Sequence, residues 1–256
     1  MNSSPTRTEA AQIIRQHFVS VLLHCALLAA AFFTARVPFG GELAIVSTLC
    51  TILLCIPTAY GCIRWLGPVR GSMLLFVLGC MACGIEYTAL TTGFPYGVFS
   101  YGEKAGTLLL GQVPWSTPFS WITIVLGCYA FVSRFAATRW RQILGTVGLM
   151  LCIDAVLDPI AVSLGLWSYA APGVYYGVPF SNFMGWVLSS ALGAGVVYVF
   201  SSYAHAKHLS LPTSLSTGLY YSLILWLGLA FFSYLFVPTM VGLMLVVAFF
   251  LYRQTE

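Results

Sequence analysis

Residues 142–165 read QILGTVGLMLCIDAVLDPIAVSLG, and their reading decides the fold. Twenty-four residues of helix would measure about 36 Å, more than the ~30 Å hydrocarbon thickness of a bilayer. The stretch is apolar throughout apart from two carboxylates, Asp154 and Asp158, and a third acid, Glu86, sits in the similar run CGIEYTAL. Charge inside a bilayer span costs free energy unless it serves a site. The chain has only seven acidic residues, so three of them in apolar sequence mark a chemical centre.

Composition places the whole chain in the same class. Of 256 residues, 59% are apolar and 7% charged, with a mean hydropathy of +0.90. That leaves too little polar surface for a soluble globule. The net charge of +4 is small, and no basic run interleaved with aromatics offers a nucleic-acid footprint. The eight Cys all lie in or beside apolar segments, where a free thiol behaves as a small hydrophobe. Cys80-x-x-Cys83, without a second pair, reads as helix-contact packing rather than a metal site.

Outward from 142–165, further apolar runs occur near 18–34, 43–63, 72–92, 116–133, 182–203, 216–236 and 239–252, the last being short. The polar leader Met1 to His17 is read as an N-terminal segment before an uncleaved first span. Eight spans with both termini inside put Arg7, Arg15, Arg64, Arg70, Arg134, Arg139, Arg141, Lys207 and Arg253 on one side, leaving Arg36 and Lys104 on the other. This is the positive-inside pattern. Val-Pro recurs at 37–38, 113–114, 178–179 and 237–238, each where a chain returns to the membrane. Proline is tolerated in a first helical turn, where its missing N–H has no partner to lose. The expected fold is therefore an all-α polytopic bundle, one integral membrane domain over 1–256 built as four helical hairpins.

The middle hairpins, 72–133 and 142–203, look like copies. Gly97-Val-Phe-Ser-Tyr101 matches Gly165-Leu-Trp-Ser-Tyr169, and Val113-Pro-Trp-Ser-Thr-Pro-Phe-Ser-Trp121 matches Val178-Pro-Phe-Ser-Asn-Phe-Met-Gly-Trp186. Glu86 and Asp154 then occupy equivalent positions. Two copies related by a pseudo-twofold would bring these acids toward one cavity, as repeats do in transporters. Asp154 and Asp158, four apart, share a helix face. Two carboxylates close together in low dielectric cannot both carry charge easily, and a protonated acid beside an ionised one is the equipment of acid–base chemistry.

Other readings stand beside these. Asp158 precedes Pro159, and an acid at such an irregularity can satisfy freed backbone groups. Tyr96, Tyr101, Tyr169, Tyr175 and Tyr176, with Trp115, Trp167 and Trp186, fall near the outer interface, where an aromatic belt also sits. Asn182 could be a helix cap. The four His form no cluster of the kind that holds iron in membrane oxygenases, and there is no phosphate loop or dinucleotide fingerprint. No metal or redox cofactor is expected, so an added oxygen would come from water.

At Glu86, Thr92-Gly-Phe-Pro-Tyr-Gly-x-x-x-Tyr101, Gly111-x-Val-Pro114, Asp154-x-x-x-Asp158-Pro159, Trp167 and Tyr175-Tyr-Gly-Val-Pro-x-x-Asn-Phe-x-Gly-Trp186, the chain resembles the carotenoid hydratases of bacteria and archaea, of the CruF or bisanhydrobacterioruberin hydratase type. The resemblance covers roughly residues 80–190. It implies carotenoid biosynthesis in a cell membrane, by cofactor-independent addition of water across the terminal double bond of an acyclic carotenoid end group. The partners it implies are a lipid-soluble carotenoid, membrane lipids and other enzymes of the pathway. The candidate catalytic residues are Glu86, Asp154 and Asp158; Tyr96, Tyr101, Trp115, Trp167, Tyr175, Tyr176, Asn182 and Trp186 are candidate substrate contacts. Asp154, the deeper acid, is the expected proton donor, with Asp158 toward the water, Glu86 sharing the proton or completing the water site, and Tyr169 an interface anchor.

Three rivals share parts of this signature. The Asp154-x-x-x-Asp158 spacing is one that intramembrane prenyltransferases use for magnesium diphosphate, but a second aspartate-rich motif is missing. A carotenoid cyclase or isomerase would use the same acid and quench the cation without water. An ion-coupled transporter would use the carboxylates as a relay.

Overall fold

The computed structural model describes residues 7–37 and 43–254, so Pro38 of the first Val-Pro and the first six residues of the leader lie outside the described residues. Eight α-helices follow in order: α1 (Arg7–Arg36), α2 (Leu43–Leu66), α3 (Pro68–Thr92), α4 (Thr117–Ser133), α5 (Arg139–Leu164), α6 (Phe180–Ala206), α7 (Ser214–Phe232) and α8 (Phe236–Gln254). Seven are long and apolar enough to cross a membrane, and the chain is a multi-pass membrane protein. The short helix is α4, with 17 residues, whereas the segment whose length looked marginal in sequence, α8, extends to 19.

Helix α4 is the core of the bundle. Its ten consecutive residues Trp121–Ala130 are buried, because α2, α3, α5, α6 and α7 surround it. A helix apolar on all sides is stable only where protein or lipid covers every face, and here protein does so. Helix α7 is the second hub, packed on α1, α2, α4 and α8. Small residues allow these close approaches, as is usual where lipid gives helices no hydrophobic reason to associate. At Gly218 of α7 an added Cβ would lie 2.3 Å from the Leu54 carbonyl and 2.6 Å from Thr58 Oγ1 of α2. Ala31 of α1 meets Gly228 of α7 in the same way. Helix pairs α3–α4, α5–α6 and α7–α8 pack as hairpins, while α1 lies chiefly against α7 rather than α2.

The loops carry structure that a helical reading leaves out. β1 (Phe99–Tyr101) pairs antiparallel with β4 (Trp167–Tyr169), and β2 (Leu108–Leu109) with β3 (Val113–Pro114). The first pairing sets Phe99 opposite Tyr169, Ser100 opposite Ser168 and Tyr101 opposite Trp167. Those are the residues matched between the two sequence copies, paired symmetrically about the two serines. The ribbon ties the α3–α4 and α5–α6 loops together at one end of the bundle, and its ladder satisfies backbone groups that a loop near hydrocarbon would leave unpaired.

Pro159 lies inside α5 and removes the N–H that would bond the Ala155 carbonyl. The Tyr175 hydroxyl donates to that carbonyl at 2.8 Å. The freed backbone group is thus met by Tyr175, which leaves Asp158 available for other work.

Candidate active site

Glu86 stands near the end of α3, and Asp154 and Asp158 one turn apart on α5, all toward the β1–β4 end. Each copy holds a carboxyl with its own strand tyrosine. Tyr101 donates to Glu86 Oε1 at 2.6 Å, and Tyr169 donates to Asp158 Oδ2 at 2.8 Å. Burial first and the adjacent carboxylate second push both phenols well above their ordinary range, so they remain hydroxyl donors. Asn182, three residues into α6 and buried, is no helix cap. Its Nδ2 donates to Asp154 Oδ2 at 3.1 Å and to Asp158 Oδ2 at 2.5 Å.

Glu86, Asp158, Tyr101, Tyr169 and Asn182 border a cavity of about 170 Å³. Glu86 and Asp158 face it from the two copies, with Asn182 between α5 and α6. Four of the seven Trp in the chain, Trp121, Trp167, Trp186 and Trp226, line it, together with Tyr96, Phe99, Tyr101 and Tyr169. Asp154 does not. It is fully buried behind the wall, and its Oδ1 has no hydrogen-bond partner among the described residues.

Of the residues singled out in sequence, the fold brings Glu86, Asp158, Tyr96, Tyr101, Trp167, Asn182 and Trp186 to this one cavity. Tyr96 is nearly buried, its ring against Phe99 and Trp186. Three others lie elsewhere. Trp115 is exposed, Tyr175 is engaged with the α5 backbone, and the Tyr176 hydroxyl accepts from the Val237 N–H at the start of α8. Tyr169, expected as an interface anchor, is instead a carboxylate partner. Sequence reasoning also missed Trp121 and Trp226. The first had a signal, since it is the repeat mate of Trp186; Trp226 on α7 lies outside both copies and had none.

A cavity lined by two carboxyls and several indoles is suited to making a carbocation and surviving it, because aromatic faces attract positive charge. The sequence pattern of a family described as "Carotenoid biosynthesis protein" matches residues 42–249. The chain belongs to that family. Among similar proteins is the bisanhydrobacterioruberin hydratase of Haloarcula japonica, 40% identical over 128 residues. The match takes in 48% of this chain and 43% of that protein, so the chain aligns with less than half of its relative's length. No solved structure matches the chain. Within the carotenoid biosynthesis family, then, the fold and the site rest on this chain's own geometry.

Proposed function

We propose that the protein hydrates the terminal carbon–carbon double bond of an acyclic carotenoid end group. The observation that carries this reading is the pair Glu86 and Asp158, brought from α3 and α5 to the lining of one indole-rich cavity. The chemistry named for the Haloarcula relative supports it.

Asp154 and Asp158, bridged by Asn182, share one proton, since two carboxylates at this spacing in a dry place resist double ionisation. Only Asp158 reaches the cavity, so Asp158 is the donor; the deeper Asp154 is a positioning residue, its negative charge beside Asp158 keeping the shared proton on the acid that faces substrate. That reverses the assignment drawn from depth in the sequence. The Asp158 proton adds to the less substituted olefinic carbon, and the π electrons leave a tertiary cation beside the Trp faces. A water held by Glu86 bonds to the cationic, more substituted carbon and gives a proton to Glu86, whose position is fixed by Tyr101. Return of this proton to Asp158 closes the cycle, and the net change is one water added.

The protein works as a single integral membrane domain in a bacterial or archaeal cell membrane, with no cofactor. Expression in a bacterium that makes lycopene, with mass analysis of the pigments, tests the proposal. A gain of one water per modified end is expected. Ring closure without mass gain would move the site to a cyclase, and loss of activity on chelation with recovery by magnesium would restore the prenyltransferase.

A further inference from the structure

Helix α1 packs chiefly on α7 rather than on α2, and a chamber lies among the three helices. It measures about 240 Å³ and is walled by Ala30 and Thr34 of α1, Cys50 and Leu54 of α2, and Leu219 and Leu223 of α7. It reaches the bundle surface between α1 and α2, where Ala30 and Val46, two of its wall residues, are exposed. At its other end it meets the carboxyl cavity. Ser47, Thr51, Ser120, Ile124, Leu157 and Trp226 line both spaces. Lys104 stands at the same junction, its Nζ donating to the Leu164 carbonyl at 3.2 Å and so closing the C-terminal end of α5.

We infer that this chamber is the binding site for the polyene chain of the substrate, which enters sideways from the lipid between α1 and α2 and passes its end group on to Glu86 and Asp158. The inference rests on the hydration reading for the identity of the occupant.

Three observations carry it. The chamber is aliphatic where the inner cavity is aromatic and acidic, the order of polarity of a hydrocarbon chain being led to a reactive end. The two spaces adjoin, with side chains of α2, α4, α5 and α7 lining both. Each alone falls below the ~300 Å³ at which small-molecule pockets begin, while together they exceed it. That volume takes an end group and the first part of a chain, not a whole long carotenoid. The remainder stays in lipid, and each end must enter separately.

Native thiols provide the test. Cys50 lines the chamber, whereas Cys152 is exposed on α5 outside it. Wild-type protein in liposomes with and without lycopene is treated with lipid-soluble N-ethylmaleimide, and alkylation is read by mass spectrometry. Lycopene should slow modification of Cys50 at least fivefold and leave Cys152 unaffected. Equal modification of Cys50 in both samples would overturn the inference. In parallel, Cys50→Phe and Ser222→Phe, on two different helices, should lower the ratio of lycopene hydration to hydration of a two-unit isoprenoid with the same end at least tenfold. An unchanged ratio in either accumulated variant would also count against the chamber. Protection of Cys50 without hydration of any substrate would leave the chamber standing and sink the hydration reading.

Discussion

One Asn182 amide nitrogen holds two carboxyls, and one phenol holds each carboxyl that faces the cavity. The residue-scale predictions follow from that division. Asp158→Asn keeps shape and removes the acid, so hydration should fall by about 10²–10⁴-fold with protein level unchanged, and Glu86→Gln should do the same through loss of the base. Near-normal pigment hydration in both would show the embedded carboxyls to be structural. Asp154→Asn should cost less, about tenfold, and should alter the pH profile of hydration, because it disturbs the shared proton without touching substrate. Tyr169→Phe leaves Asp158 with one fewer donor. A hydrogen bond to a charged group is worth about 1.5–3 kcal/mol, so a loss of roughly tenfold or more is expected. Tyr176→Phe, whose hydroxyl meets only the α8 backbone, should stay near wild type in the same pigment assay. Sequence placed these two tyrosines together in one belt; the hydrogen bonds separate them.

Helices here are held by specific small contacts, and their irregularities have named partners. The break at Pro159 is closed by Tyr175 on the Ala155 carbonyl. Tyr175→Phe should therefore destabilise by about 1–3 kcal/mol. Pro159→Ala returns an N–H to the same carbonyl, so the double variant should lose less stability than the two single losses combined. Simple additivity in thermal unfolding in detergent would refute the pairing. Glycines divide likewise. Gly218→Ala forces a methyl against Leu54 and Thr58 across the α2–α7 contact and should cost about 1–3 kcal/mol. Gly84→Ala on α3 meets open space and should be neutral or gain up to about 1 kcal/mol, since alanine loses less backbone entropy. The same unfolding series compares them.

Across the whole molecule, most basic residues, Arg36 and Lys104 excepted, gather at the end opposite the β1–β4 ribbon, and several are fixed there by rings. Arg70 lies 3.8 Å from the Tyr203 ring centre, and Arg253 donates to Thr217 and sits over Tyr220. With an even number of helices, both termini should face the cytoplasm and the ribbon the opposite side. Reporter fusions after Glu256 and within 170–174 should read opposite sides of the membrane. A periplasmic signal from the C-terminal fusion would exclude the eight-span topology.

The sequence by itself determined the membrane class and the eight helices. These follow from run length, hydropathy and the cost of charge in lipid, all local properties of the chain. It also pointed to a repeat, because 97–101 and 165–169 keep similar residues at the same offsets; in the structure the matched tyrosines meet Glu86 and Asp158, not Glu86 and Asp154. Which acids face the cavity was decided only by tertiary structure. Spacing places Asp154 and Asp158 on one helix face, but where that face is covered depends on Asn182 and α6. The same holds for Tyr175, whose task exists only because folding brings it to the carbonyl freed by Pro159. The chamber between α1 and α2 had no local signal at all, for it arises from a helix pairing, α1 with α7, that joins residues nearly two hundred positions apart.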